Sequence, residues 1–231
     1  MMVSSRVVLT VLLAAASFQI QAQDKRAPYP NMAPVDQYLI ADRNAEIDLA
    51  RSAAPPSVSG DAEVMVLGKN GYEVAVQGSN HFVCLVERSW DSAIGNPGFW
   101  NPRGRGPNCF NEAAARSYLP IVFMKTRLAL SGKSQEEIDR TMRAAFSEKK
   151  LPALEPGAMC YMLSKNGYLN DAVGHWHPHL MFFAPVAMSK TWGANLAGSP
   201  VLSSDDAPDR VTVFMVPVAH WSDGTADGAS Q

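Results

Sequence analysis

An Asn-Gly turn between two short β-prone segments is the feature that most limits how this chain can fold. The segments are Glu63–Leu67 and Tyr72–Gln77, and Lys69-Asn70-Gly71 lies between them. Asn-Gly supplies the positive φ angles that a tight hairpin requires. A second turn, Gly78-Ser79-Asn80, leads into a third apolar segment, His81–Arg88. The sequence therefore predicts a meander of strands in this region.

Helix-like and strand-like segments follow the meander in mixed order. Ser134-Gln135-Glu136-Glu137 is a capping box in front of an amphipathic helix. Ala158–Ser164, His179–Val186 and Val211–Val218 have the composition of strands, and the last two are apolar enough for strands covered on both faces. This order predicts an α+β fold, a single domain with an antiparallel-rich sheet (hairpin meander plus later strands) and packed helices.

The N-terminal segment Met1–Ala22 has the pattern of a secretory signal peptide. It carries one positive charge, Arg6, and an apolar run, Val7–Ala16, and it ends in a small residue before Gln23. The apolar run is too short to span a bilayer as a helix. We therefore expect a cleaved leader and a soluble protein in the periplasm or outside the cell, with no membrane insertion after cleavage.

The remaining chain divides by composition into an arm, a domain and a tail. Residues 23–35 are polar and rich in proline, which predicts a flexible N-terminal arm. Residues 36–221 form the expected α+β domain, and residues 222–231 are small and polar, which predicts a disordered tail. Within the domain, Asp36–Ala53 favours helix, and a further helix is expected over residues 111–118.

Charge and composition exclude some classes of partner. The formal net charge is -2 and 47% of the residues are hydrophobic, which is ordinary for a globular domain with a sizeable core. The chain contains no lysine-arginine block. These values do not favour nucleic acid or an anionic membrane as a partner. An unidentified small molecule or protein is the partner class that this leaves.

The three cysteines predict one disulfide and one unpaired thiol. In an exported protein, Cys84 with Cys109 is the favoured pair because that bond would close the glycine- and proline-rich loop between them. Cys109 with Cys160 is the main alternative. Cys160 itself lies in a strand-like segment, where a buried apolar role is expected rather than a reactive thiol or a soft-metal ligand.

A histidine cluster is the one group of residues in the sequence whose spacing suits metal binding. His175, His177 and His179 alternate along the chain, so an extended backbone projects all three imidazoles to one side. Histidines at this spacing can chelate zinc or copper, with His81 or His220 completing the set. The simpler interpretation is a loop that enters the following strand, with the imidazoles hydrogen-bonded to backbone.

Two further features have both a structural and a functional interpretation. Glu87-Arg88 interrupts an apolar strand, where we expect a solvated strand end, the alternative being a charge inside a cleft. The loop Ser89–Asn108 carries Trp90, Phe99 and Trp100. Such aromatic residues are expected to fasten the loop to the core, the alternative being a platform for a ligand.

The order of several short motifs resembles that of a group of exported bacterial proteins with no assigned activity. The resemblance implies one exported domain and no catalytic residues, and within it His179 belongs to the shared pattern more clearly than His175 or His177. The motifs are Asn70-Gly71-Tyr72, the Cys84 strand, Cys109-Phe110-Asn111, Met159-Cys160-Tyr161-Met162-Leu163, Pro178-His179-Leu180-Met181 and Val213-Phe214-Met215-Val216-Pro217-Val218.

Three functional hypotheses follow from these residues. The first is non-catalytic binding of a small ligand or metal ion. The second is a metal-dependent hydrolase that uses the histidine cluster, with Glu87 or Asp171 as general base. The third is a structural or envelope-associated protein without a ligand site, which predicts no large pocket and a buried, hydrogen-bonded His179.

Overall fold

One sheet organises the protein in a computed structural model that describes residues 28–228. The predicted leader, Met1–Ala22, lies outside the described residues. Within the described range the sheet has eight strands. They are β1 (Glu63–Gly68), β2 (Gly71–Val76), β3 (Val83–Glu87), β4 (Gly106–Phe110), β5 (Met159–Met162), β6 (His179–Pro185), β7 (Leu202–Asp206) and β8 (Val211–Pro217).

Five α-helices accompany the sheet in the same range. They are α1 (Arg43–Arg51), α2 (Pro56–Ser59), α3 (Glu112–Ser117), α4 (Leu119–Leu130) and α5 (Gln135–Ser147). Asp42 and Asn111 cap α1 and α3, and Ser134 forms the predicted capping box with Glu137. The predicted α+β class is confirmed. No helix within residues 28–228 is long and apolar enough to cross a membrane.

The strand order in the sheet is β2-β1-β3-β4-β5-β6-β8-β7. All neighbouring strands are antiparallel except β1 and β3, which run parallel. The Asn-Gly turn joins β1 to β2 as predicted, and Gly71 has a φ of 127° there. The predicted meander is wrong for its third strand: β3 lies beside β1 rather than β2 and runs parallel to β1, because residues 77–82 carry the chain back along the sheet before β3 begins.

The two faces of the sheet carry separate cores. Residues that pair directly across neighbouring strands share a face, and successive residues alternate between faces. Cys84 and Val86 of β3 therefore lie on one face, where they pack with Ala50 of α1. Leu85 and Glu87 lie on the other, which we call the cavity face. It is covered by α3, α4 and the loop between β3 and β4.

The predicted disulfide joins neighbouring strands. Cys84 of β3 lies directly opposite Cys109 of β4, and the two are bonded. The bond closes the loop of residues 88–105, as expected. Cys160 of β5 is unpaired and buried, in agreement with the apolar role predicted for it.

Several element boundaries differ from the prediction. The helix expected over Asp36–Ala53 is divided into a 3-10 turn, Val35–Gln37, and α1, because the Asp42 side chain caps the backbone N–H of Asn44 and starts a new helix. The last residues of the predicted loop form β4. The complete coverage expected of β6 and β8 is wrong, since Met181 and Met215 are only half-buried where they line a cavity.

The expected disorder near both ends is wrong for the part of the chain that the structure describes. From residue 28 the arm packs against the domain, and the backbone N–H of Ala33 donates to the Tyr38 hydroxyl at 3.1 Å. In the tail, the N–H of Ser222 donates to the Leu163 carbonyl at 2.9 Å. The Asp227 side chain is only 7% exposed and pairs with His177. Backbone and side-chain hydrogen bonds therefore hold residues 222–228.

Candidate functional site

A cavity of about 380 Å³ lies on the cavity face of the sheet, a volume typical of small-molecule sites. The strand register explains its floor. Met162 is paired with His179, and Met181 is paired with Met215, so these side chains stand on one face. Sheet residues that line the cavity are Glu87, Gly106, Met162, His179, Met181, Ser204, Asp206, Val211, Val213 and Met215.

The roof of the cavity comes from irregular segments. Residues 88–105 cross over the end of β3, and Tyr168, Leu169 and Asn170 close another side. Gly104 allows this close crossing, because a Cβ at that position would lie 2.8 Å from the Ser89 Cβ and 3.0 Å from the Ser89 nitrogen. The roof therefore depends on a backbone-to-backbone approach that other residues would disturb.

Three aromatic side chains hold the roof loop to the domain. Trp90 and Phe99 are fully buried and Trp100 is 3% exposed. The Trp90 indole N–H donates to the Thr126 hydroxyl of α4 at 3.1 Å, and the Tyr38 hydroxyl donates to the Trp100 carbonyl at 2.8 Å. The expected fastening role of these aromatic residues is confirmed, and none of the three lines the cavity within the described residues.

One end of the cavity is acidic and largely buried. Glu87, Asp91, Asp206 and Asp209 all line it. Lys125 of α4 stands behind this wall, and its ammonium group donates to Asp209 Oδ2 at 2.7 Å and to the Ser92 carbonyl at 2.9 Å. Four carboxyl groups therefore share one buried lysine.

Burial and mutual repulsion raise the pKa values of these carboxyl groups. Burial and the neighbouring Asp91 hold the pKa of Glu87 well above its ordinary value. Burial raises the pKa of Asp91 to about 7, although Lys125 acts in the opposite direction. The pKa of Asp206 is raised by burial and by Asp209. Asp91 is therefore partly ionised at neutral pH, and the shifts of Glu87 and Asp206 favour their protonated forms.

The basic side chains near the cavity are already saturated. Arg88 is 3% exposed and turns away to a buried ion pair with Glu46 at 2.7 Å. Arg105 donates to the carbonyl oxygens of Pro102 and Gly104 at 2.9 and 2.7 Å, and burial lowers its pKa to about 10. The expected solvated strand end at Glu87-Arg88 is therefore wrong. The alternative, a charge inside a cleft, is correct, because both residues line the cavity and Arg88 is buried.

Several buried oxygen atoms at the acidic end have no hydrogen-bond partner among the described residues. They are Glu87 Oε1, Ser89 Oγ, Asp91 Oδ1 and Asp209 Oδ1. A buried polar atom without a partner is costly, and native structures contain few of them. Surface depressions of about 570 and 820 Å³ lie elsewhere, but none of these four atoms lines either. All four residues that carry these atoms line the 380 Å³ cavity, which is therefore the candidate site.

The structure does not assemble the predicted histidine metal site. His179 is 3% exposed and its Nδ1–H donates to the His177 carbonyl at 2.6 Å, and burial lowers its pKa. The ring of His177 pairs with Asp227 instead, and exposed His175 packs its ring edge on Trp221. Within residues 28–228, no three histidine, cysteine, aspartate or glutamate side chains are placed to hold a metal ion.

The two weaker candidates for that site lie outside the cluster as well. His81 precedes β3, at the opposite end of that strand from Glu87, and has a φ of 64°. His220 follows β8 and forms a backbone bridge with Ala226. Neither side chain lines the 380 Å³ cavity, whereas His179 does.

The two predicted general bases occupy different surroundings. Glu87 lies in the cavity and accepts a hydrogen bond from the Asn108 amide at 2.7 Å. Asp171 is exposed and joins separate segments, since it accepts hydrogen bonds from Tyr29, Tyr168 and Asn101. The hydrogen bonds from Tyr168 and Tyr29 lower the pKa of Asp171, which makes it a weaker base. Of the two predicted bases, only Glu87 lines the cavity, and burial there favours its protonated form.

Sequence reasoning missed most of the acidic end. Ser89, Asp91, Asp206 and Asp209 were not singled out, and neither was Lys125. One signal was available, because Lys125 is fully buried in α4, whose first seven residues are otherwise apolar. A lone lysine in such a segment needs a buried counter-ion. The partner itself is distant in the chain, and no local pattern identifies Asp209.

No protein-family model, curated protein or solved structure matches this chain. The resemblance to a group of exported proteins therefore stays a prediction.

Proposed function

We propose that this protein is an exported binding protein that takes a small organic molecule into the cavity between the sheet and the roof loop. The observation that carries the proposal is the set of buried, unpartnered oxygen atoms at one end of a cavity of about 380 Å³. These atoms have almost no accessible surface, so a ligand with hydrogen-bond donors would satisfy them once the side chains that carry them turn toward the cavity. Concave apolar sites with a few convergent polar groups are the usual form of small-molecule sites.

The rest of the cavity wall suits the apolar part of such a ligand. Met162, Met181 and Met215 form a continuous floor, and Tyr118 and Trp176 add aromatic surface. Methionine side chains are flexible and polarisable, so they adapt to ligands of different shape. The alternative of a structural protein without a ligand site predicts that no large pocket is present, and the cavity argues against it. The same alternative predicts a buried, hydrogen-bonded His179, and His179 has that environment.

A pair of tryptophan substitutions on one strand tests binding at this place. Met181 faces the cavity, and Leu180 precedes it on the opposite face of β6. We expect neutral, cationic and anionic fragments, screened by thermal shift, to include compounds that raise the Tm of the wild type and of Leu180→Trp. The same compounds should leave the Tm of Met181→Trp unchanged, because the new side chain fills the cavity. Circular dichroism checks that both variants fold.

The absence of any stabilising fragment would contradict the proposal. Stabilisation that is equal in Met181→Trp and Leu180→Trp would also contradict it, because the fragments would then bind outside the cavity.

The export part of the proposal is supported by the Cys84–Cys109 disulfide, since disulfides persist in oxidising compartments. It is also supported by the leader pattern of Met1–Ala22. The mass of the protein recovered from a periplasmic extract tests it. We expect a chain that begins at Gln23, and an intact Met1 on protein confined to the cytoplasm would contradict export.

A further inference from the structure

The unpartnered atoms at the acidic end have a chemical bias that points to one class of ligand. Three of the four are carboxyl oxygens, from Glu87, Asp91 and Asp209, and the fourth is the Ser89 hydroxyl. Ser89 and Asp209 are 8% and 4% exposed, and the four atoms themselves have almost no accessible surface. Water does not satisfy them in this arrangement, and a ligand reaches them when the side chains that carry them turn toward the cavity. Carboxyl oxygens accept hydrogen bonds, and ionised ones do so most strongly from cations.

The charges around these oxygens favour a cation as well. The Lys125 ammonium group is held by Asp209 Oδ2 and by the Ser92 carbonyl. Arg105 is occupied by backbone carbonyl oxygens, and Arg88 by Glu46. The nearby basic side chains therefore have little left to offer an anionic ligand, whereas a cationic ligand would meet acceptors that have no partner within the described chain.

The wall next to the acidic end suits a cation that carries an apolar body. Trp176 and Tyr118 line the cavity together with the methionine floor. Aromatic faces attract cations, and thioethers pack well against rings. A metal ion is a poorer fit, because it needs ligand atoms about 2.0–2.6 Å away, closer than the roughly 2.8 Å of an ammonium hydrogen bond, and no three potential ligand side chains within residues 28–228 are placed to hold one.

We propose that the ligand is a small primary amine whose ammonium group binds the carboxyl oxygens of Glu87, Asp91 and Asp209 while its apolar body lies on the methionine floor. This inference rests on the proposed function and narrows it to one chemical class. Binding is a non-covalent exchange in which the ammonium N–H groups donate and the carboxylates accept. Because the ammonium group favours ionised carboxyl groups, binding releases protons from the site.

Three probes with one apolar body test this proposal by isothermal titration calorimetry at pH 7.5. They are 2-phenylethylamine, 2-phenylethanol and 3-phenylpropionate. We expect the amine to bind about 10- to 100-fold more tightly than the alcohol, since charge-assisted hydrogen bonds are stronger than neutral ones. We expect no measurable binding of the carboxylate.

A charge-matched pair of variants locates the effect. Glu87→Gln keeps the size of a cavity side chain and removes its ability to ionise, so the preference for the amine over the alcohol should fall at least about tenfold. Asp205→Asn makes the same change of formal charge at an exposed residue of β7, whose carboxylate accepts a hydrogen bond from the Thr212 hydroxyl. This variant should keep the preference for the amine over the alcohol. If Glu87→Gln fails to fold, Asp209→Asn replaces it.

The pH dependence gives an independent readout. The charged and titratable groups that act on Asp91 are Glu87 from β3, Arg88, Lys125 from α4, Asp209, Tyr72 from β2 and Tyr118. Ionisation at the site requires a pH near or above the pKa of Asp91, about 7. The affinity for 2-phenylethylamine should therefore rise between pH 6 and pH 8, while the affinity for 2-phenylethanol should not.

The outcomes separate this inference from the proposed function. Equal binding of alcohol and amine, or preferential binding of the carboxylate, would overturn the amine proposal and leave the cavity as a small-molecule site. Amine binding that is unchanged in Glu87→Gln or Asp209→Asn would overturn it too. The amine proposal would also be overturned if the fragments that bind in the cavity include no amine. The proposed function fails only if no fragment depends on the cavity.

Discussion

At the scale of single residues, the environment of Asp91 decides how it behaves. Its carboxyl group interacts with the carboxyl groups of Glu87 and Asp209, and Lys125 is the compensating charge with the largest effect on its pKa. One oxygen accepts from the Arg88 backbone N–H at 3.0 Å, and the other has no partner among residues 28–228. Ionised Asp91 therefore destabilises the fold in the absence of a cation.

We predict that Asp91→Asn becomes more stable relative to the wild type as the pH rises from about 4 to about 7. The folded pKa of Asp91 is raised to about 7, so the stability that its protonated form contributes is lost as the pH passes through that value. The gain above pH 7 should be on the order of 4 kcal/mol, because the pKa of Asp91 is raised by about three units and each unit corresponds to about 1.4 kcal/mol. Urea unfolding at several pH values measures it.

Asp171→Asn should show a different trend, because hydrogen bonds from Tyr168 and Tyr29 lower the pKa of exposed Asp171 in the folded protein. The stability that its carboxylate contributes is complete above the unfolded pKa of about 4 and is lost as the pH falls below that value, so the difference from the wild type should stay constant between pH 5 and pH 8. A stability difference for Asp91→Asn that does not change between pH 4 and pH 8 would contradict the pKa assigned to Asp91.

The Lys125–Asp209 ion pair is a second prediction at this scale. Both side chains are at least 95% buried, and their charged atoms are 2.7 Å apart. Lys125→Met should cost about 3–5 kcal/mol, because it leaves a buried carboxylate without its partner. Adding Asp209→Leu should restore much of that loss. Denaturant unfolding of the single and double variants checks this, and additive losses would contradict a direct pairing.

At the residue scale, the sequence shows where unusual side chains lie but does not show which partners they find. Glu87-Arg88 stands out in the sequence as a pair of charges in an apolar strand, which fits either a solvated strand end or a cleft. The solvated end was predicted, and the structure shows the cleft. The histidine density at residues 175–179 was equally visible and did not correspond to a metal set, because His177 turns to Asp227. A side-chain pattern shows spacing but not the competing partners.

At the scale of elements, the disulfide between β3 and β4 stabilises the roof loop from both ends. Cys84 and Cys109 are directly opposed in the sheet and separated by 25 positions. We predict that Cys84→Ala with Cys109→Ala lowers the free energy of unfolding by about 3–4 kcal/mol, from loop-closure entropy. Thermal and urea unfolding measure the loss. Cys160→Ala is the control, and an equal loss there would argue for general packing damage.

The close crossing of the roof loop gives another element-scale prediction. Gly104→Ala places a Cβ 2.8 Å from the Ser89 Cβ and should destabilise the protein by about 1–3 kcal/mol. Gly98→Ala lies in the same loop, where the nearest atom is the flexible Asn96 side chain at 3.3 Å, and it should cost less. Equal unfolding midpoints for the two variants would contradict the crossing.

The elements that could be predicted are those with local signals. The Asn-Gly hairpin, the capping box of α5 and the apolar strands β6 and β8 agree with the sequence pattern. β7 reads Leu-Ser-Ser-Asp-Asp and β4 reads Gly-Pro-Asn-Cys-Phe, and neither has the composition of a strand. Both form because neighbouring strands supply backbone partners, which is a tertiary effect.

At the scale of the whole molecule, the cavity is a product of sheet topology. Glu87 stands at the end of β3, and Asp206 stands at the end of β7, the edge strand of the sheet. The intervening strands provide an apolar floor, while the roof loop brings Ser89 and Asp91 across it. Such a site could not be predicted from one sequence, since the order of eight strands decides which carboxyl groups meet.

The most direct test of the account is methyl NMR of the methionine-labelled protein during titration with 2-phenylethylamine. The account predicts shifts of the Met162, Met181 and Met215 methyl signals, because these side chains line the cavity. The signals of Met65 and Met142, which pack in the core outside it, should stay in place. Shifts at Met65 or Met142 with none in the first three, or no shift at any methionine under saturating amine, would contradict a ligand site in this cavity.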